Sequence, residues 1–168
     1  PRPFADQSLE GWIQHQKIPQ VFEATNWMNV LRADKIGDEF GVQYIIKSGG
    51  DEYKRINEIK ATKANLIVPV NYPDAYDAED PFDAERVSLA EMKHWELAPT
   101  NLGALEKAGV NFAITSSGLK KISDFLPNVR KAIEYGLSET AALKAVTTTP
   151  AQLMKIDDQV GSLKKGML

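Results

Sequence analysis

Two hydrophobic rhythms alternate along the chain. Longer amphipathic stretches trade places with short, almost wholly apolar runs. The first rhythm suits a helix with one buried face, the second a strand covered on both sides. "QSLEGWIQHQK" spaces Leu9, Trp12, Ile13 and Gln16 as a helix does, and Pro19 disfavours helix at Ile18. "PQVFEATN" reads as a short strand. "WMNVLRADKIGDEFG" predicts a helix with apolar Met28, Leu31 and Ile36, a cap at Asn26 and a left-handed stop at Gly41.

The alternation then repeats. "VQYIIKSGG" predicts a strand, and "DEYKRINEIKATK" a helix whose two leading acids suit its positive end. "NLIVPV" is a third strand. A long acidic loop, "NYPDAYDAEDPFDAE", interrupts the rhythm. "SLAEMKHWELAPTNLGALEKAG" is helical with a break near Pro99, and "VNFAITS" is the fourth strand. "DFLPNVRKAIEYG" and "SETAALKAVTTTPAQLMKI" are two more helices. Ser138 caps the second, with Ala141 where a capping box would carry its acid. Strands alternating with helices give an α/β fold with a parallel sheet. Four strands fit a small open sheet or half of a (β/α)8 barrel, which takes about 250 residues when complete.

Composition narrows the partners. The chain has 168 residues, 43% hydrophobic and 26% charged, which is ordinary for a globular domain. A net charge of −3 offers no field to attract nucleic acid or anionic lipid. The absence of cysteine excludes disulfides and thiolate metal sites, and leans the parent toward a periplasmic or secreted setting over a cytoplasmic one. No apolar run is long enough to span a membrane. Pro1, with no Met before it, is expected of a processed or excised chain.

The C-terminal run "AIEYGLSETAALKAVTTTPAQLMKIDDQVGSLKKGML" settles which fold is expected. Its Gly136-Leu137-Ser138 turn, Thr148-Thr149-Pro150-Ala151 segment and Gly161-Ser162 to Gly166 turn resemble the end of the metal-dependent amidohydrolase superfamily, above all its imidazolonepropionase-like members. "LGALEKAGVNFAIT" is similar to the last helix and eighth strand of such barrels, and "FGVQYIIKSGGDEYKRI" to their sixth-strand region. The resemblance covers nearly the whole chain. It implies a single domain fragment over residues 1–168, the C-terminal half of a TIM-like barrel with about four βα units. Strands five to eight would be "PQVFEATN", "VQYIIKSGG", "NLIVPV" and "VNFAITS". The chain stops at Leu168, where a strand of an outer β-sandwich is expected to begin. The family's His-x-His on strand one is expected outside this chain.

Such enzymes use divalent metal to acidify a bound water. The resemblance puts Glu23 at the strand-five histidine position, Ser48 at the strand-six histidine and Ser117, or Ser116 one residue away, at the strand-eight aspartate. A carboxylate can still ligate a metal; a serine hydroxyl is a poor ligand and no general base. The implied parent is a hydrolase of non-peptide C–N bonds using zinc or another divalent metal, with no cofactor held by this fragment. The alternative is a catalytically inactive scaffold, ligand-binding or assembly domain.

Each candidate has a plainer role beside it. Glu23 can pair with Lys47 across neighbouring strand tips instead of binding metal. "SGGDEYKR" has the glycines of an anion-binding turn, but Asp51 and Glu52 would repel the anion. Asp74, Asp77, Glu79, Asp80, Asp83 and Glu85 cluster like calcium ligands without the EF-hand spacing, so a solvated loop over the barrel mouth is the simpler expectation. Tyr72, Tyr76 and Phe82 would line a ligand surface or anchor that loop. His15 and His94 fall on helices, as surface residues do, and Trp12 and Trp95 are expected to pack helices onto the sheet. Half a barrel has two unpaired strand edges and an open apolar interior. Its expected partner is the N-terminal barrel half or a second copy, giving a homodimer.

Overall fold

The computed structural model describes residues 11, 18–77, 79, 82 and 85–168. The helix expected around Trp12 and His15 lies outside the described residues. Four parallel strands form one sheet in the order β1-β2-β3-β4: β1 (Val21–Glu23), β2 (Ile45–Lys47), β3 (Asn65–Pro69) and β4 (Phe112–Thr115). All four fall inside the predicted apolar runs. Helix α1 (Trp27–Phe40) joins the first pair, and a 3-10 turn (Glu52–Arg55) with α2 (Ile56–Thr62) joins the second. A long loop, α3 (Leu89–Leu97), a 3-10 turn (Ala98–Thr100) and α4 (Asn101–Ala108) join the third. After β4 come a 3-10 turn (Ile122–Asp124), α5 (Phe125–Glu134), α6 (Glu139–Val146) and α7 (Thr148–Leu153). This is the parallel βα layout of part of a TIM-like barrel. No helix among the described residues is long and apolar enough to cross a membrane.

Period-two alternation divides the sheet. Ile46, Leu66, Val68, Phe112 and Ile114 belong to the main core, with Val30, Ile59, Leu102 and Leu105 from the helices. The other face carries Ile45, Ile67 and Ala113, which pack against Leu153 of α7. The expected open interior is therefore partly closed by this chain's own last helix. Val21 remains 50% exposed on the edge strand.

Caps account for several helix ends. Asn26 accepts a hydrogen bond from the Asn29 amide, and Gly41 takes the left-handed conformation, both as predicted. The buried face of α1 differs from expectation: it is Val30, Ala33 and Gly37, while Met28 and Ile36 are exposed. Small side chains allow the closer approach, and a Cβ on Gly37 would collide with the Val42 carbonyl. Ser138 caps α6 through the Ala141 amide at 3.1 Å. The acid missing at Ala141 comes instead from Glu106 on α4, which accepts from the Ser138 amide at 2.8 Å and its hydroxyl at 2.5 Å. The last predicted helix is two, broken at Thr147, whose φ of −128° and ψ of −80° leave the helical region.

Candidate active-site face

The carboxyl ends of the four strands form the mouth, where (β/α)8 enzymes place their chemistry. Glu23 and Lys47 are register partners at the tips of β1 and β2. Lys47 Nζ donates to Glu23 Oε1 at 2.7 Å, the pairing expected from the sequence. The Glu23 side chain is 68% exposed and that of Lys47 28%, so solvent screens the pair.

Ser48 follows directly, but its side chain is not at the surface. It is buried, and its hydroxyl completes no hydrogen bond of good geometry. It does lie close enough to Glu52 to favour that group's charged form. Glu52, which the sequence places at an exposed helix start, is fully buried. Its carboxylate accepts from the Gly50 amide at 3.1 Å and from Asn101 Nδ2 at 2.5 Å. Asn101 Oδ1 in turn accepts from the Tyr53 amide at 2.8 Å. Burial pushes the Glu52 carboxyl above the ordinary carboxylate range; the hydrogen bonds from Asn101 and the turn oppose that shift. Asp51 does not serve its own helix either. It accepts from the Trp27 amide at the start of α1 at 2.7 Å, and from Lys54 at 3.2 Å. Gly49 is required here, because a Cβ would strike the Thr25 carbonyl. Together these contacts knit the loop after β1 to the loop after β2.

Ser117 lies two residues beyond β4 and is half-buried; its amide donates to Thr115 Oγ1 at 3.2 Å. β4 lies at the opposite edge of the sheet from β1, three strand spacings or about 14 Å along the sheet. No hydrogen bond or ion pair among the described residues joins any two of Glu23, Ser48 and Ser117. The loops after β3 and β4 are tied by Lys120 and Asp74 at 2.5 Å, and Asn71 fills the space a Cβ on Gly118 would need. They bound a cavity of about 410 Å³ lined by Asn71, Tyr72, Lys120, Asp124, Asn128 and Lys131. Lys131 Nζ stands 5.6 Å from the centre of the Tyr72 ring. The Tyr72 hydroxyl is buried without a partner, and burial raises its pKa. No local sequence signal singles out Asn71 or Lys131; only the loop lengths hint at a mouth here.

The two helical side chains differ from expectation. His94 is no bare surface residue: its Nδ1 lies 2.9 Å from the Tyr53 hydroxyl and its ring stacks on that tyrosine. Trp95 does not pack on the sheet. It is 44% exposed, because α3 buries none of its residues.

A divalent metal needs several converging donors. Among the described residues no three His, Cys, Asp or Glu side chains are grouped to hold one. Glu23 is already neutralised by an ammonium that would repel a second cation, and the Ser48 hydroxyl is turned into the protein. The residues present at the mouth do not fit the metal that the resemblance implies.

Three solved structures share this architecture. An amidohydrolase from Thermotoga maritima MSB8 is 25% identical with a TM-score of 0.72, over 99% of this chain and 41% of that one. A Xaa-Pro dipeptidase with bound methionine in its active site is 19% identical with a TM-score of 0.59, over 96% and 40%. A prolidase complexed with N-methylphosphonate-L-proline is 19% identical with a TM-score of 0.58, over 88% and 36%. The last two likenesses are of fold alone, and this chain spans about two-fifths of each structure's length. No curated protein matches the chain by sequence. The model of the amidohydrolase family matches residues 52–168, from the buried Glu52 through β3, β4 and the closing helices, and the chain belongs to that family.

Proposed function

We propose that residues 1–168 act as one unit, strands five to eight of an amidohydrolase-type barrel, and that this half binds no metal. Its role is then that of a scaffold, ligand-binding or assembly part of the parent protein. The observation that supports this reading is the Glu23–Lys47 ion pair at 2.7 Å, which spends the one carboxylate at a metal-ligand position on a neighbouring lysine. Ser117 adds no base, since a hydroxyl cannot take the proton a carboxylate would. The cavity between the β3 and β4 loops supplies a place for a ligand without metal.

Hydrolysis of C–N bonds by the parent is the second reading, favoured by the family match over residues 52–168. On that reading a divalent metal held elsewhere in the parent would supply the activated water. This chain would contribute the mouth loops and the rim contacts Asp51–Trp27 and Lys120–Asp74. Calorimetric titration of this chain with zinc tests the first reading, and chelator-sensitive hydrolysis of C–N bonds by the parent protein would favour the second. The first reading predicts no saturable zinc binding at micromolar concentration. Tight binding that disappears in Glu23→Ala would make Glu23 a ligand and overturn it.

A further inference from the structure

Helix α3 is open to solvent along almost its whole length. Eight of its nine residues are exposed, and His94 alone is half-buried. A surface helix of a stable domain normally buries an apolar stripe. Here a single ring takes its place. The His94 ring centre lies 6.1 Å from that of Tyr53 and nearly parallel to it, with Nδ1 2.9 Å from the phenol oxygen. Tyr53 is itself held to the body, its amide donating to buried Asn101 at 2.8 Å. The two ends of α3 differ. Ser88 and Glu91 complete a capping box, so the first turn is held within the segment itself. At the far end Pro99 offers no N–H to the Trp95 carbonyl, and the chain passes into a 3-10 turn anchored by buried Ala98 and Pro99. That interruption is where the helix can turn. Upstream, the loop that leads into α3 starts at Asn71 and Asp74, in the wall of the cavity at the mouth.

We propose that α3 is an acid-released strap: neutral His94 docks it on Tyr53, and protonation of His94 frees it to swing about the joint at Pro99. The phenol can donate to a neutral imidazole nitrogen, but imidazolium has no lone pair to accept it. Lys54 Nζ stands 6.0 Å from the centre of the same tyrosine ring, so a second cation there is repelled. Asp51 offsets part of that repulsion, but it is already shared with Lys54 at 3.2 Å and the Trp27 amide at 2.7 Å. The remaining charges beside His94, on Glu91, Lys93 and Glu96, are exposed on α3 itself. Burial first and Lys54 second hold His94 below its ordinary 6.5, with Asp51 opposing. The released ring, in water, takes up a proton first. Docking should therefore be complete above pH 6.5 and weaken as pH falls through the docked value. A nine-residue helix is too short to persist alone in water, so release appears as lost amide protection. It also frees the far end of the loop that walls the mouth cavity.

The test is hydrogen exchange read by mass spectrometry on the parent protein from about pH 5 to about pH 8, the range in which histidine changes charge. Each rate is corrected for the intrinsic pH dependence of exchange. Protection of α3 should fall several-fold toward the acid end, while that of β3 stays constant. Tyr53→Phe should lower α3 protection at neutral pH by roughly two- to tenfold, the span of one net hydrogen bond. His94→Gln should make it independent of pH. Protection of β3 reports whether each variant is folded; if one is not, the other decides. An α3 protection that ignores pH, a pH dependence that survives His94→Gln, or a Tyr53→Phe variant indistinguishable from wild type would overturn the proposal. So would a wild type in which β3 loses protection in step with α3, because that is global unfolding and not release of one helix.

Discussion

Asn101→Ala should cost the fold about 3–5 kcal/mol. Asn101 is buried between two partners: it donates to the Glu52 carboxylate at 2.5 Å and accepts from the Tyr53 amide at 2.8 Å. A hydrogen bond to a charged group is worth about 1.5–3 kcal/mol, and an orphaned amide costs about 1–3 more. Among the described residues no ion pair involves Glu52, and only the Gly50 amide and the nearby Ser48 hydroxyl would remain to offset the loss. Urea unfolding measures the loss directly, and at this chain length the melting temperature should fall by about 10 °C. The pH dependence carries a second signature. Burial raises the folded-state pKa of Glu52 above its ordinary 4.5, so the fold favours the protonated form. Its contribution to stability is complete below pH 4.5 and declines as pH rises through the folded value. Removing Asn101 takes away a donor that favours the charge and raises that value further. The cost of the substitution should therefore grow with pH. A loss under about 1 kcal/mol, or one independent of pH, would refute the burial argument.

Three further outcomes follow from the same contacts. Lys47→Met removes a solvent-screened pair and should change stability by less than about 1 kcal/mol in urea unfolding; a larger loss would mean the pair holds the mouth together. His94 is held below its ordinary 6.5 by burial first and by the Lys54 charge second. Its unfolded form takes up a proton first, so stability should be full above pH 6.5 and fall as pH drops through the folded value, a slope that His94→Gln should flatten. In sedimentation, the isolated chain should associate, because β1 and β4 are sheet edges and Val21 is half exposed; a monodisperse monomer would count against a half-barrel.

The strands were legible because each is a short apolar run between turns, and burial on both faces leaves that mark in composition. The Glu23–Lys47 pair was legible too, since parallel register sets the ends of neighbouring strands side by side. What stayed hidden depends on distant chain. Glu52 reads as a charge at a helix start, and the side chain that meets it in the interior, Asn101, lies 49 residues on. The acid that completes the Ser138 cap comes from Glu106, 32 residues earlier, and so could not be found three residues downstream. In α1 the larger apolar residues looked like the buried face, yet small Ala33 and Gly37 face the interior because the chain after the helix passes so close. Trp95 misled in the opposite direction: its size suggested core, but nothing within the described fold covers α3.

The proposed function rests on the Glu23–Lys47 ion pair standing in place of a metal ligand at this barrel mouth. Its most direct test is elemental analysis of the parent protein purified without chelator, beside a Glu23→Ala variant. Metal content should be the same in both. Near-stoichiometric zinc that falls in the variant would contradict it.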